Sequence, residues 1–405
     1  MSLLPVAEAI ARVTAGILPL GTETVPIAEA AGRVLATDLA ARRTQPPFPA
    51  SAMDGYALRG ADAGLGATFR VVGMAAAGHG FTGTVGPGET VRIFTGAPVP
   101  DGADTILIQE DAAREDDTIR VTEAAQAGRH VRHRGLDFAE GAVMLPAGTR
   151  LGMRQLSLAA AMGHGTLPVR TRPRVAIIAT GDELVPPGAP TGPDQIVASN
   201  ATGLAALVAS LGGIPHDLGI VGDDVGAIAE VVRRAVAVPA DIVVTLGGAS
   251  VGDHDLARAA LEAVGMRLDF WQIAMRPGKP LMFGTMPVGA GPGARVLGLP
   301  GNPVSTLVGG LLFLRPLVAA YLGTPAPDLS EPAVLGVDVA ENDKRQDYVR
   351  AVLRAVEAGL PEVVPLTPQD SSMLSTLARA DCLLIRPPFA PAASAGTPCR
   401  ILRLP

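Results

Sequence analysis

Four short segments of this chain pair glycine with charged or hydroxylated side chains directly after apolar runs. They are TGDELV (180–185), GGASVGDHD (247–255), RPGKP (276–280) and PGNPVS (300–305). Glycine lets backbone N–H groups come close to an anion, and a helix start placed behind such a loop adds about 0.3–1 kcal/mol of attraction. The ligand is therefore expected to be anionic. In PGNPVS, Asn302 suits a helix N-cap and Pro303 the first helical position, which aims a helix over 304–323 at the ligand. Arg276 and Lys279 would supply cations, against the bland reading of solvated surface charges. The acids need a separate reason, because two like charges 4 Å apart repel by about 4 kcal/mol at an effective dielectric of 20. A hard cation between carboxylate and phosphate removes that conflict, and Mg²⁺ accepts one or two carboxylates plus substrate oxygens. The candidate ligands are Glu183 and Asp255 first, then Asp182, Asp223, Asp224 and Asp253, against ordinary loop acids and helix caps.

A further acid stands far upstream. In PPFPASAMDGYA (46–57), three prolines stiffen a connector, small residues follow, and Asp54 stands directly before Gly55 and Tyr56. An Asp-Gly pair often serves only to form a turn. The stiff approach is equally suited to holding a carboxylate at a fixed place.

Elements to carry these residues follow from periodicity. VAEAIARVTAGI and IAEAAGRVLATDLA, within the first 40 residues, have helical spacing. Short apolar runs between Gly, Pro and Asp from 52 to about 137 read as a small β domain. Residues 138–170 return to helix, clearest in LGMRQLSLAAAMG. From 174 to 323 strands and helices alternate, which predicts a largely parallel, doubly wound sheet with its ligand at the strand carboxyl ends. From about 325 onward short β runs return. The predicted organisation is multidomain α/β and β: a helical linking domain from 1–45 and 138–170, a β domain over 46–137, an α/β domain over 171–324, and a C-terminal β domain over 325–405.

Composition narrows the classes. Apolar residues form 48% of 405, aromatics 3%, and 48 Gly with 36 Pro require many tight turns. A net charge of −6, with one Trp and three Tyr, leaves neither a basic field nor stacking faces for nucleic acid. The apolar stretch 307–323 is interrupted by Arg315 and Pro316, short of the roughly 20 residues a membrane span needs. Cys382 and Cys399 lack metal-ligand spacing and no signal peptide is evident, so a cytoplasmic protein with reduced thiols is expected. Gly248-Ala249-Ser250-Val251-Gly252 matches a hydrolase nucleophile elbow, but the one later histidine is His254, which the chain order of that fold excludes. The glycines at 289, 291 and 293 fit a hairpin loop better than a dinucleotide fingerprint.

SAMDGYA (51–57), TGAPVPDGADTILIQE (95–110), TGDELV, GGASVGDHD, MRPGKPLMFG (275–284) and GLPGNPVS (298–305), in that order, resemble the molybdopterin molybdenumtransferases. That resemblance covers essentially the whole chain. It implies an L-shaped homodimer of four-domain subunits ending in a C-terminal β-barrel, with clefts shared between subunits. It implies a reaction in which adenylylated molybdopterin and molybdate meet, a Mg²⁺-dependent step releases AMP, and molybdenum joins the dithiolene. A molybdopterin adenylyltransferase and molybdoenzyme maturation factors would be partners.

Carried onto this chain, the resemblance marks Asp54, Thr95, Asp137, Glu183 and Asp255 as residues linked to activity, with Asp54 serving the neighbouring subunit's cleft. It marks Lys279, Pro280, Ser305, Arg345, Ser371 and Ser372 as molybdate contacts, with Arg276 where many members have lysine and Arg350 in the same stretch as Arg345. Asp182, Ser250, Pro300, Asn302 and Pro303 complete the expected substrate set. The chain departs from the family at Leu136, Asp370 and Asp381, where Glu, Gly and Asn are usual. Two alternatives compete: a dimeric scaffold of the gephyrin kind, and an adenylyltransferase built on the α/β segment alone.

Overall fold

The computed structural model describes residues 3–237, 240–248, 256–287, 293–324, 328, 330–357 and 359–405. They divide into two compact units, one of residues 24–169 and one of residues 1–23 with 170–405.

In the 24–169 unit, one core gathers Leu35, Leu39, Phe138, Leu145, Leu151, Met162 and Leu167. Residues 27–40 are not the helix that their spacing predicts: Ile27–Glu29 makes one 3-10 turn, and Leu39–Ala40 is a short strand antiparallel to Val143–Leu145. The backbone donors that a helix would use go elsewhere, Gly32 N to Leu151 O at 2.8 Å and Leu35 N to Thr149 O at 2.9 Å. Gly32, at φ 74°, is also outside helical geometry. Tertiary pairing thus overrides a helical pattern. In 138–170 the one α-helix is Met153–Ala161, entered through Gly152, whose N–H donates to the Gln155 side chain.

The rest of this unit is a six-stranded sheet. Its spatial order is Thr105–Ile108, Gly55–Leu58, Glu89–Ile93, Thr68–Ala75, Thr118–Val121 and Ala112–Glu115. Alternation splits its residues between two cores, Tyr56 and Leu58 with Phe69 and Leu107, and Ala57 with Val91, Ile93 and Ile106. Asp54 stands in the bend just before Gly55–Leu58, a strand paired on both sides. Gly55 is not serving a turn, because a Cβ there would lie 2.0 Å from the Leu107 carbonyl oxygen. Gly55→Ala is therefore expected to force the two strands apart and cost about 1–3 kcal/mol or more, as overpacking does. Urea unfolding measures it; an unchanged midpoint would contradict the close approach.

The second unit holds the α/β sheet, ordered Ile214–Val221, Arg174–Thr180, Ile242–Leu246, Ala294–Leu299, Pro280–Met286 and Arg267–Gln272. The first four strands are parallel, and Pro280–Met286 runs antiparallel to both of its neighbours. Helices Asn200–Leu211 and Pro303–Leu322 pack together, as do Val225–Ala237 and Leu256–Ala263, so the sheet is doubly wound. Ala176, Ile178, Val243 and Val296 meet Ile228, Val232 and Leu261 in one core. Pro303–Leu322 is the one helix among the described residues long and apolar enough to cross a membrane, yet 67% of its most apolar window is buried inside this fold. It contains a π segment at Gly310–Leu314, just before Pro316, whose missing N–H breaks the regular ladder.

At the C-terminus, strands Gln346–Arg354, Glu362–Pro365, Ser330–Leu335, Pro398–Arg403 and Cys382–Arg386 close back on the first as a five-stranded barrel. Ala333, Ala351, Val363, Leu384 and Ile401 fill it. Cys382 lies among them, its thiol pushed up to about 12 by burial, and both cysteines are free. Met275–Arg276 pairs in parallel with Gln346–Asp347, so the RPGKP loop joins the α/β sheet to the barrel.

Candidate functional site

All four parallel strands end at one edge, and a cavity of about 940 Å³ opens there. Thr180, Gly181, Glu183, Asp223, Gly247 and Gly248 line one side; Asn200, Pro300, Gly301, Asn302, Pro303, Pro280 and Ser372 also line it. The glycines are structural necessities. Gly247 has φ 97° and a Cβ there would sit 2.6 Å from the Thr180 carbonyl; Gly248 has φ 65° and would strike Ala257 at 2.8 Å. A cradle without side chains results, into which a phosphate can approach the backbone.

Two helices begin at this cradle. The N-terminus of Asn200–Leu211 is tied to that of Pro303–Leu322 by the Asn200 side-chain amide, which donates to Gly301 O at 2.7 Å and to Thr306 Oγ1 at 3.2 Å. Asn302 and Pro303 occupy the N-cap and first helical positions that their order predicts. The Asn302 side chain makes no cap bond. It donates instead to Ser371 Oγ at 3.0 Å, and Val304 N donates to Ser371 O at 3.0 Å. The barrel loop of Ser371 and Ser372 is thereby fastened to the helix start. Asp370, one of the departures noted above, accepts both the N–H and the hydroxyl of Ser372, at 2.8 and 2.6 Å, and its carboxyl is held below its ordinary range by those bonds. Asp381 accepts from Leu353 N at 2.8 Å and so braces the barrel.

The acids divide by task. Glu183 and Asp223 line the cavity. Asp182 Oδ1 accepts from Asp223 N at 3.0 Å and shapes the loop that presents Asp223. Asp224 does not line the cavity; its Oδ1 accepts from Ala227 N at 2.7 Å at the start of the helix Val225–Ala237. Its expected place as a metal ligand gives way to this capping bond. No cluster of three or more metal-ligating side chains occurs among the described residues. Ser250, Asp253 and Asp255 lie outside the described residues.

The cations are corrected more strongly. Arg350 is 2% exposed, its Nε donating to Gln369 Oε1 at 3.0 Å and its guanidinium to Asp370 O at 2.7 Å. It shapes the serine loop from within rather than meeting a ligand. Arg276 is bound to Asp347 and, at 3.3 Å each, to Asp343 and Asn342. Arg345 donates to Asp343 at 3.1 Å. These carboxylates, recruited from the barrel, were invisible from the RPGKP motif. Lys279 directly precedes Pro280 of the cavity wall, and the position of a Gly278 Cβ lies 3.8 Å from the carbonyl oxygen of Ser305, which is itself buried in the first helical turn. Pro280 starts an antiparallel strand, but Met282 pairs with Gly298, so that start lies at the same sheet edge as Pro300.

In the 24–169 unit, Thr95 holds the Asp54 carboxylate: its N–H and its hydroxyl both donate to Oδ1 at 2.8 Å. The Thr95 N–H above all, then the hydroxyl, keep this carboxyl ionised below its ordinary range. Asp54, Thr95 and Asp137 are all exposed. Sequence reading missed the arginines that line the connector before Asp54, where Arg134 Nε donates to Pro47 O at 3.1 Å. Val131–Arg132 pairs with Ala50–Ser51, and Ala52 N donates to His130 O, which lays Arg132 and Arg134 along the segment leading to Asp54. The signal was present in RHVRHR (129–134), three arginines in six residues.

Three family models match in succession: the MoeA N-terminal region (domain I and II) over residues 4–163, the "Probable molybdopterin binding domain" over 176–320, and the MoeA C-terminal region (domain IV) over 332–404. Among curated relatives, the molybdopterin molybdenumtransferase of Nostoc sp. is 37% identical over 95% of this chain and 89% of its own length. Molybdopterin molybdenumtransferase 2 of Mycobacterium tuberculosis is 36% identical over 93% of this chain and 94% of its own. A crystal structure of the molybdopterin biosynthesis moeA protein from Pyrococcus horikoshii superposes with a TM-score of 0.84 at 28% identity, covering 100% of both chains. With motif order, fold and relatives in agreement across the full length, the chain belongs to the molybdopterin molybdenumtransferase family.

Proposed function

We propose that this protein is a molybdopterin molybdenumtransferase of molybdenum cofactor biosynthesis, inserting molybdenum from molybdate into adenylylated molybdopterin with Mg²⁺-dependent release of AMP. The observation that carries this reading is the glycine cradle at the parallel strand ends, with two helix N-termini and two carboxylates on one cavity. Backbone N–H groups and helix starts suit a pyrophosphate. Glu183 and Asp223 suit a hard cation, since Mg²⁺ takes few carboxylates and completes its shell with substrate oxygens and water. When bound there, Mg²⁺ would neutralise phosphate charge next to the carboxylates. Lys279 and Ser372 are assigned to molybdate, with Ser305 buried in the first turn of the adjoining helix. The relatives are named as transferases, which favours catalysis over the scaffold role. An adenylyltransferase would leave the matched N- and C-terminal regions without a task.

The protein is further assigned to the cytoplasm, as a homodimer in which Asp54 of one copy acts at the cavity of the other, supplied by a molybdopterin adenylyltransferase. Asp54 belongs to the 24–169 unit and the cavity to the other. The direct test is AMP release from adenylylated molybdopterin by purified protein, dependent on molybdate. Tight binding of the nucleotide with no AMP release would overturn the enzymatic reading. In the same assay Lys279→Ala is expected to raise the molybdate concentration for half-maximal rate about 10- to 150-fold, equivalent to the roughly 1.5–3 kcal/mol of a hydrogen bond to a charged group. An unchanged molybdate dependence would remove Lys279 from the site.

A further inference from the structure

Arg92 lies on Glu89–Ile93, directly opposite Tyr56 in the register and three residues before Thr95. Its guanidinium carbon is 5.0 Å from the centroid of the Tyr56 ring and 4.9 Å from that of Phe94. One guanidinium nitrogen donates to Gly55 O at 3.1 Å and another to Gln109 Oε1 at 2.7 Å. The backbone N–H of Gln109 in turn donates to Asp54 O at 3.1 Å. Arg92 therefore touches the residue after Asp54 directly and the peptide carbonyl of Asp54 through Gln109. It also touches Phe94, the residue before Thr95. Each side chain that defines where the Asp54 carboxylate points is one residue removed from a group that this guanidinium holds.

We propose that Arg92 is a positioning residue for the Asp54 carboxylate, its stacked and forked guanidinium fixing the Asp54–Gly55 peptide against the Phe94–Thr95 peptide. The inference rests on the reading of Asp54 as a group required by the reaction. A planar guanidinium can stack on rings while donating in two directions within its plane, and an ammonium cannot. Charge also acts: after the two Thr95 bonds and desolvation, Arg92 is the remaining influence on the Asp54 carboxyl, in the lowering direction.

The two roles separate experimentally. Arg92→Lys keeps the charge and loses the fork; Arg92→Met loses both. The readouts are kcat for AMP release, the KM for molybdate, the thermal midpoint, and the titration of the Asp54 carboxyl followed by ¹³C NMR. Arg92→Lys is expected to lower kcat about 10- to 100-fold, the scale on which small misplacements act, with KM within about twofold and an Asp54 titration close to wild type. Arg92→Met is expected to lower kcat similarly and to move the Asp54 titration upward. Gln109→Ala, which leaves Arg92 intact but removes one of its acceptors, is expected to lower kcat in the same direction and stands in if the arginine variants do not fold. Wild-type kcat in Arg92→Lys or in Gln109→Ala would overturn the proposal, as would losses that merely follow the folded fraction. Asp54→Asn identifies which reading fails. Full activity in that variant sinks the role of Asp54 and this inference together, whereas an inactive Asp54→Asn beside a fully active Arg92→Lys sinks the inference alone.

Discussion

AMP release is expected to fall to background in EDTA and to return with excess Mg²⁺. Glu183 and Asp223 line a cavity whose other features, the glycine cradle and two helix starts, select for anions. At 4 Å a carboxylate and a phosphate oxygen repel by about 4 kcal/mol at an effective dielectric of 20, enough to reduce occupancy nearly a thousandfold if nothing lies between them. Arg276 and Arg345 are committed to Asp343 and Asp347, and Lys279 is assigned to molybdate, so the carboxylates are left to a metal cation. Glu183→Gln removes one of the two carboxylates, so its Mg²⁺ dependence is expected to shift at least about tenfold toward higher concentration, roughly 1.4 kcal/mol. Full turnover in EDTA would show that the carboxylates serve some purpose other than holding a cation.

The parts of this site that were legible in the sequence are those in which one residue type has one physical reason. Gly247 and Gly248 announce a close backbone approach, and a Cβ at either would strike Thr180 O or Ala257 within 2.6–2.8 Å. Asn302-Pro303 announces a helix start, and one begins there. The alternation of strands and helices from 174 announces a parallel sheet, hence which loops share an edge. What was hidden depends on partners distant in the chain. Arg276 looks like a free cation beside Lys279 until the barrel brings Asp347, 71 residues away, against it. Arg350 looks like a surface charge until Gln369 and Asp370 O enclose it. Residues 27–40 carry a helical apolar pattern, yet Gly32 and Leu35 donate to Leu151 O and Thr149 O instead of to a helix of their own. The identity of Gly55 was legible as special but for the wrong reason, a turn rather than the 2.0 Å approach of Leu107 O.

Mixing two inactive variants, Asp54→Ala and Glu183→Ala, is expected to restore roughly a quarter of wild-type activity if subunits exchange freely. The argument starts from placement: Asp54 with Thr95 stands in the 24–169 unit, and Glu183 lines the cavity of the other unit. If each working site combines Asp54 of one copy with Glu183 of the other, a mixed dimer gathers both lesions in one site and neither in its second. Random pairing makes half of the dimers mixed, and each has one intact site of two. The double variant Asp54→Ala/Glu183→Ala mixed with wild-type subunits gives the converse: every site of a mixed dimer then holds one lesion, and activity comes from wild-type dimers alone. If Asp54 instead serves the cavity of its own chain, mixing the single variants restores nothing, while the double variant mixed with wild type retains one good site in each mixed dimer. Native mass spectrometry of the mixtures establishes that mixed dimers are present. A silent single-variant mixture that contains them would refute the shared site and confine Asp54 to its own subunit.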